Sequence, residues 1–382
     1  MNKSYSGKFF RTAAFLLLTG PFAIGQIDNV DFLRAGAADG IKIIQAYISP
    51  WANAFGAGLN GSWYNTAKPH KLGGFDITAA FNIGMVPESA GTYDVGSLGL
   101  TTLSGSGTAS TISGPDAAGP TLTKTVSGVQ LASFNLPPGT GWRFIPVPTA
   151  QVGIGLPLGT ELKVRYMPKM KIKEGDVGLW GIGLMHSVMQ YIPGNKLLPV
   201  DVSLFGGYTK LQGNIPVSLQ PDQSVAVNYS TYNPLTAFND QNMAASVQAL
   251  NVGVIGSVSI PVLTVYGGIG YSKTKTEVNL EGNFPTPVLV TGTLPYAEYN
   301  DSGVLKGGTD IPGIEIKNFS GVRMNLGLRV KLAVLTIHAD YTRSQYNVFS
   351  AGIWCGDGPL GINSYPDVDT IPLEHSTRHY NV

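Results

Sequence analysis

The chain has 382 residues, of which only 13% are charged, with 25 Lys and Arg against 24 Asp and Glu. Soluble domains carry about 25% charge, so an ordinary water-covered surface is hard to build from this composition. A formal net charge of +1 leaves no electrostatic footprint for nucleic acid. The single cysteine, Cys355, excludes an intramolecular disulfide and every multi-cysteine metal site. Glycine is abundant at 49 residues, and Tyr and Phe contribute 17 and 15 more. A wall that turns apolar side chains to lipid and polar ones inward accommodates such a composition.

The first 25 residues have the form of a secretory signal peptide. Lys3, Lys8 and Arg11 precede an apolar stretch from Ala13 to Ile24, and Ala23 and Gly25 place small residues before a cut at Gln26. That stretch is interrupted by Gly20 and Pro21 and is short for a membrane-spanning helix. No later segment offers about 18 uninterrupted apolar residues, so any membrane residence must be in strands.

Residues 28–49 carry a helical pattern through Val30, Ala37, Ile41, Ile44 and Ile48, and Pro50 is expected to close it. Residues 26–53 thus form a helical segment expected to plug a barrel or lie on its mouth. From Ala54 the period changes to two. In Phe75 to Met85, Phe75, Ile77, Ala79, Phe81, Ile83 and Met85 fall on one face, with Asp76, Thr78 and Asn82 on the other. Eleven residues also cross a bilayer at the usual tilt. Comparable pairs of segments turn at Pro157-Leu158-Gly159, at Pro261 and at Ala333-Val334. In the last of these, Val322 to Leu332 presents six apolar residues opposite Arg323, Asn325, Gly327, Arg329 and Lys331, and Leu335 to Tyr341 opposes them to His338 and Asp340. Such faces suit a lipid-facing exterior around a wet lumen, although a two-sheet sandwich with a second covering sheet remains open.

Segments 101–128, 213–243 and 282–318 read as long loops, and residues 137–148, with Pro137, Pro138, Pro146 and Pro148, resist assignment as a strand. The reading is therefore an all-β, antiparallel transmembrane β-barrel of about twelve strands over residues 54–354, with a short N-terminal helix. It places the protein in the bacterial outer membrane. After Trp354 the alternation collapses, and residues 355–382 read as an irregular tail: either an appendage or the product of a frame-shifted end.

No nucleotide loop, zincin motif or nucleophile elbow is present. Gly267-Gly268-Ile269-Gly270 lies inside a strand pattern and opens no helix. His338 and Asp340 share a polar face, but two polar residues at i and i+2 are commonplace in any lumen, so no catalytic residue, metal or cofactor is assigned. The expected lumen-lining residues are Asp76, Asn82, Glu161, Lys163, Arg165, Arg323, Asn325, Arg329, Lys331, His338 and Asp340. They either favour a small hydrophobic or anionic ligand in passive, porin-like transport or form a salt-bridged filling. A surface-display barrel binding partners through its loops is the alternative, and an enzyme ranks last. The expected partners are outer-membrane lipid and that ligand.

The stretch Ala46-Tyr47-Ile48-Ser49-Pro50-Trp51-Ala52-Asn53-Ala54-Phe55-Gly56, followed by Trp63-Tyr64-Asn65-Thr66-Ala67 and Gly73-Gly74-Phe75-Asp76, resembles a family of exported Bacteroidota proteins. These are taken to be outer-membrane barrels distantly similar to long-chain fatty-acid transporters. The resemblance runs to about Ile353, and the tail departs from it. It implies the barrel fold and, by analogy with those transporters, a lumen plugged by residues 28–53, but it carries no ligand or catalytic residue.

Overall fold

The structure, a computed structural model, describes residues 36–172, 175–193, 199–220, 238–285, 288–290, 296–298, 304–306, 309–316, 319–332 and 335–356. The expected signal peptide and nearly all of the expected tail lie outside them.

Ten antiparallel strands close into a barrel. They are β1 (Phe75–Met85), β2 (Phe144–Leu156), β3 (Thr160–Ile172), β4 (Gly175–Ser187), β5 (Val200–Pro216), β6 (Asn242–Ser259), β7 (Leu263–Glu281), β8 (Ser320–Leu332), β9 (Leu335–Arg343) and β10 (Val348–Cys355). Each pairs with the next in sequence, and β1 pairs with β10 from Ile77↔Cys355 to Gly84↔Val348. Closure leaves no strand of the ring at an open end of the sheet, although β2 and β3 pair over only part of their length. One further strand, Ile314–Ile316, adds outside the ring to β7.

The expected count of about twelve strands is corrected to ten in the barrel. Thr121–Val126, inside the segment read as a loop, and Val129–Asn135 after it do form strands, but these two pair with each other and join Leu103–Ser104 in a separate three-stranded sheet. An alternating pattern specifies a strand with one apolar face, not which core covers that face. Here the cover is a cap beyond the barrel rim.

Burial follows the pleat. In β1, Asp76, Thr78, Ala80, Asn82 and Gly84 are buried, while Ile77 and Ala79 between them are exposed. Similarly, Ile154 and Val164 are exposed on the outer face of β2 and β3, as are Leu326 and Leu328 of β8. So extensive an apolar exterior marks a surface that an apolar partner or surround would cover. Among the described residues, no helix is long and apolar enough to cross a membrane.

The turns at 157–159 and 260–262, and the link between β8 and β9, lie at the end where β1 begins and β10 finishes. The described parts of the long segments 86–143, 217–241 and 282–319 lie at the other end. There they build the cap around α1 (Ala37–Leu59). Ile43, Ile44, Val95, Leu103, Phe284 and Ile311 are part of its buried apolar core.

The helix runs through Pro50 and ends at Leu59, instead of closing at Pro50 as expected. A proline inside a helix costs about 3 kcal/mol through its missing N–H and its clash with the preceding turn. Burial of Ile43, Ile44, Tyr47, Ala54 and Phe55 offsets this, and the Ser49 hydroxyl takes up the Gln45 carbonyl beside the break.

Asp39, in the first turn of α1, ties the helix to the cap. Its carboxylate accepts the backbone N–H groups of Thr101, Thr102 and Leu103 and the hydroxyls of both threonines. Burial alone would raise its pKa, but these hydrogen bonds, led by Thr102 and Thr101, outweigh burial and hold it below the ordinary 3.8. A depressed folded pKa contributes stability that is present above the unfolded value and lost as pH falls through the folded one. Asp39→Asn is therefore expected to destabilise the cap by about 1–3 kcal/mol at neutral pH. Denaturant titrations across pH should show that difference shrinking below pH 3.8, the ordinary carboxyl value.

Candidate functional site in the barrel lumen

Beyond Leu59 the chain leaves the helix and descends through the barrel to the short-turn end, where it reaches Gly74 and turns into β1. Residues 60–70 contain Gly, Ser, Asn and aromatics without periodicity, so they form neither helix nor strand. Backbone groups buried this way need partners from elsewhere. The barrel wall supplies them.

Two arginines hold the end of the helix. Arg165 of β3 donates from Nη1 to the Leu59 carbonyl at 2.7 Å, from Nη2 to the Gly61 carbonyl at 2.6 Å, and from Nε to Gln151 Oε1 at 3.0 Å. Arg323 of β8 donates from Nη1 to the Asn60 carbonyl at 2.8 Å and from Nη2 to Thr342 Oγ1 at 3.0 Å. A helix C-terminus presents unsatisfied carbonyls and partial negative charge, and a rigid cationic fork answers both. The Arg165 guanidinium also lies 3.6 Å from the centroid of the Trp63 ring, a desolvated cation–π contact.

Lower down, wall side chains again address backbone. Gln151 donates to the Trp63 carbonyl at 3.2 Å, the Ala67 N–H donates to Ser257 Oγ at 2.9 Å, and the Ser203 hydroxyl donates to the Ala67 carbonyl at 2.5 Å. The Tyr64 hydroxyl donates to Asn325 Oδ1 at 2.8 Å, and Ser62 donates to Asn82 Oδ1 at 2.7 Å. Trp63 and Tyr64 pack on Phe205. A cavity of about 10 Å³ beside Tyr64, Phe205, Asn251 and Arg323 holds no more than about one water.

At the short-turn end His70, Asp76, Glu161 and Lys163 converge. His70 Nδ1 is 3.0 Å from Glu161 Oε2 and 3.9 Å from Asp76 Oδ2, and Lys163 Nζ bonds Glu161 while lying 4.0 Å from Asp76. The Asp76 carboxylate also accepts the Gly153 N–H at 3.2 Å. The ligand atoms of His70, Asp76 and Glu161 lie within 4.8 Å of one another, a spacing that suits a metal. The Lys163 ammonium bonds Glu161 and offsets one of the two carboxylate charges, so the arrangement reads as an ion-paired latch. The His70 ring stacks on Trp354, and Arg329 lies 4.7 Å from the centroid of that same ring.

Of the residues expected to line the lumen, Asp76, Asn82, Glu161, Lys163, Arg165, Arg323, Asn325, His338 and Asp340 are buried inside the barrel, and Arg329 is half-buried. Lys331 departs from the expectation. It keeps the inward phase of β8 but lies at the strand's last turn, exposed at the rim. Three buried carboxylates (Asp76, Glu161, Asp340) face three buried cations (Lys163, Arg165, Arg323), and the half-buried Arg329 adds a fourth positive charge to the lining. His338 and Asp340 do not act on each other: Asp340 accepts the Tyr266 hydroxyl at 3.0 Å, and neither ring nitrogen of His338 has a hydrogen-bond partner among the described residues.

The residues that hold the inner segment, Gln151, Ser203, Ser257 and Thr342, escape sequence reasoning because small polar residues on an inward face carry no distinguishing pattern. His70, Trp63 and Tyr64 lie outside any periodic run, and only their bulk in a Gly- and Asn-rich segment signals burial.

Among solved structures, the Escherichia coli outer-membrane protease OmpT aligns at 7% identity and a TM-score of 0.31, covering 74% of this chain and 97% of that one. The translocator domain of the Neisseria meningitidis autotransporter NalP aligns at 14% and 0.29, over 82% and 96%. A Pseudomonas aeruginosa FadL homologue aligns at 9% and 0.19, over 74% and 88%. Likeness at this level carries no reading of function. No curated protein matches the chain. The pattern of DUF6588, a family of unknown function, matches residues 1–356, and the chain belongs to that family.

Proposed function

We propose that this is a bacterial outer-membrane barrel for passive transport or binding of a small hydrophobic or anionic ligand, held closed at rest by its own N-terminal segment. The observation that carries the reading is the way residues 59–67 are held. The wall grips them largely through side-chain hydrogen bonds to backbone carbonyls, and water or a ligand can take up the same side-chain donors when the segment leaves. The three longest links lie at one end and three of the four links at the other are tight, an asymmetry that matches the external and periplasmic ends of outer-membrane barrels and would place the cap outside the cell.

Thr66 Oγ1 and Ser257 Oγ lie 3.2 Å apart, close enough for a bridge between cysteines at the same positions. In a Cys355→Ser background, Thr66→Cys with Ser257→Cys should give a barrel that shows conductance steps in a planar bilayer when reduced and none when oxidised. Equal silence in both states, at any voltage and with added hydrophobic or anionic solutes, would defeat gating.

The apolar core of the cap favours a second reading, a display barrel whose long loops bind a partner. Under that reading the reduced and oxidised forms are equally silent, and removal of residues 101–128 abolishes binding without disturbing insertion.

A further inference from the structure

The wall has one seam. β2 and β3 each run for 13 residues, yet they pair over only six residue couples, from Gln151↔Arg165 to Leu156↔Thr160. Their other halves, Phe144–Ala150 and Tyr166–Ile172, run beside no ladder between them.

The cause is legible in the backbone. The Arg143 carbonyl accepts from Val86, and Gly155 exchanges bonds with Gly73 and Gly74. Odd-numbered residues of β2 therefore point their N–H and C=O groups toward β1. The β1–β2 register is continuous, so even-numbered ones point toward β3. Pro146 and Pro148 are even-numbered and remove two donors from that edge. On β3 the Gly159 carbonyl accepts from Ser187 of β4, so up to Met167, where the β3–β4 register is continuous, the even-numbered residues face β2. Extending the register sets Pro148 opposite Pro168, a position where neither partner has an N–H to give. Pro168 itself lies in the stretch between Met167 and Met170 where the β3–β4 register shifts.

Unpaired backbone facing lipid is normally excluded because each orphaned group costs several kcal/mol. Two of the donors that would be orphaned here, at Pro146 and Pro148, do not exist, and Pro168 opposite them brings none either. The seam is also apolar on both sides of the wall. Phe144 and Tyr166 are exposed on its outer face. On its inner face Ile145, Val147 and Met167 belong to the apolar cluster that includes Phe55 of α1 and Leu179 of β4, whereas the inward rows nearer the short-turn end are largely polar.

We propose that the β2–β3 seam is a lateral site at which a hydrocarbon chain of the surrounding bilayer enters the wall and contacts the apolar cluster around α1. The seam opens sideways into the lipid-facing surface, and its inner lining offers an acyl chain contacts that the rest of the wall does not. This deepens the hydrophobic-ligand reading above and rests on the chain being a membrane barrel.

The test uses the full chain in phosphatidylglycerol and phosphatidylethanolamine vesicles that carry a photoactivatable diazirine on the acyl chain, with adducts located by mass spectrometry. Adducts are expected on the inward-facing Ile145, Val147 and Met167, at levels close to those on the outward-facing Phe144 and Tyr166 and well above those on the inward-facing Ser203 and Thr209. Pro146→Val, Pro148→Val and Pro168→Val together restore the missing donors and should abolish the inward adducts while leaving the outward ones. Inward labelling no higher at the seam than at Ser203 and Thr209 overturns the proposal, and so does labelling that survives in a folded valine variant. Should that variant not fold, the wild-type comparison decides alone. A chain that does not insert into the vesicles defeats the membrane reading instead, which is a separate outcome.

Discussion

Arg165→Ala is expected to release the N-terminal segment from the lumen at a cost of about 3–5 kcal/mol. The guanidinium is fully buried and makes three hydrogen bonds, two of them to carbonyls at the end of α1. Charged hydrogen bonds contribute about 1.5–3 kcal/mol each but do not add simply, and the stacking on Trp63 contributes about 2 kcal/mol where water is excluded. Truncation strands the Leu59 and Gly61 carbonyls beside a polar void that water then enters. Hydrogen exchange should show the amides of residues 59–67 losing protection while those of β5 to β7 keep theirs. Arg165→Lys keeps the charge but not the planar fork, and should recover less than half of the loss. A change within about 0.5 kcal/mol, the range of an ordinary surface substitution, would mean that these contacts are not made.

Gly84→Ala is expected to unseat α1 at a cost of about 3 kcal/mol, the upper part of the range for overpacking. A Cβ at Gly84 would stand 2.0 Å from the Ala54 carbonyl oxygen. The obstacle is helix backbone, so no rotamer change relieves it and the helix itself must move. Gly206 is the control. It belongs to the same barrel, yet its added Cβ meets only Val252 Cγ1 at 3.7 Å, ordinary contact. Gly206→Ala should remain within about 0.5 kcal/mol of wild type. Paired denaturation curves followed by Trp51 and Trp63 fluorescence separate the two, and equal behaviour would contradict the close seating of α1 on β1.

Much of the barrel was legible because its hairpins obey a rule with a single physical origin. One face meets an apolar surround and the other a polar interior, so Phe75–Met85, the turn at residues 157–159 and the β8–β9 hairpin announce themselves by period two. That rule fails where a strand's cover is not the barrel. Thr121–Val126 and Val129–Asn135 are strands as well, but they belong to the cap. It fails again at Pro146 and Pro148, where the sequence argues against a strand. The structure accepts one because no partner there requires the missing donors.

Pro50 misled for a related reason. A local helix breaker was overridden by burial on the cap side, which no local pattern reveals. The lumen itself was half legible. Charges such as Arg165 and Arg323 fall on the inward phase of their strands, yet what they grip, the backbone of Leu59, Asn60 and Gly61, lies more than a hundred positions away in sequence.

The account stands on residues 60–70 running inside a closed barrel within the envelope. In membranes from cells producing Thr66→Cys and Ser257→Cys with Cys355→Ser, mild oxidation should form one intrachain bridge in most molecules. Its reduction should leave the barrel's heat-modifiable gel mobility unchanged. Two thiols that stay free and react readily with a bulky, membrane-impermeant maleimide would place this segment outside the barrel and contradict the account.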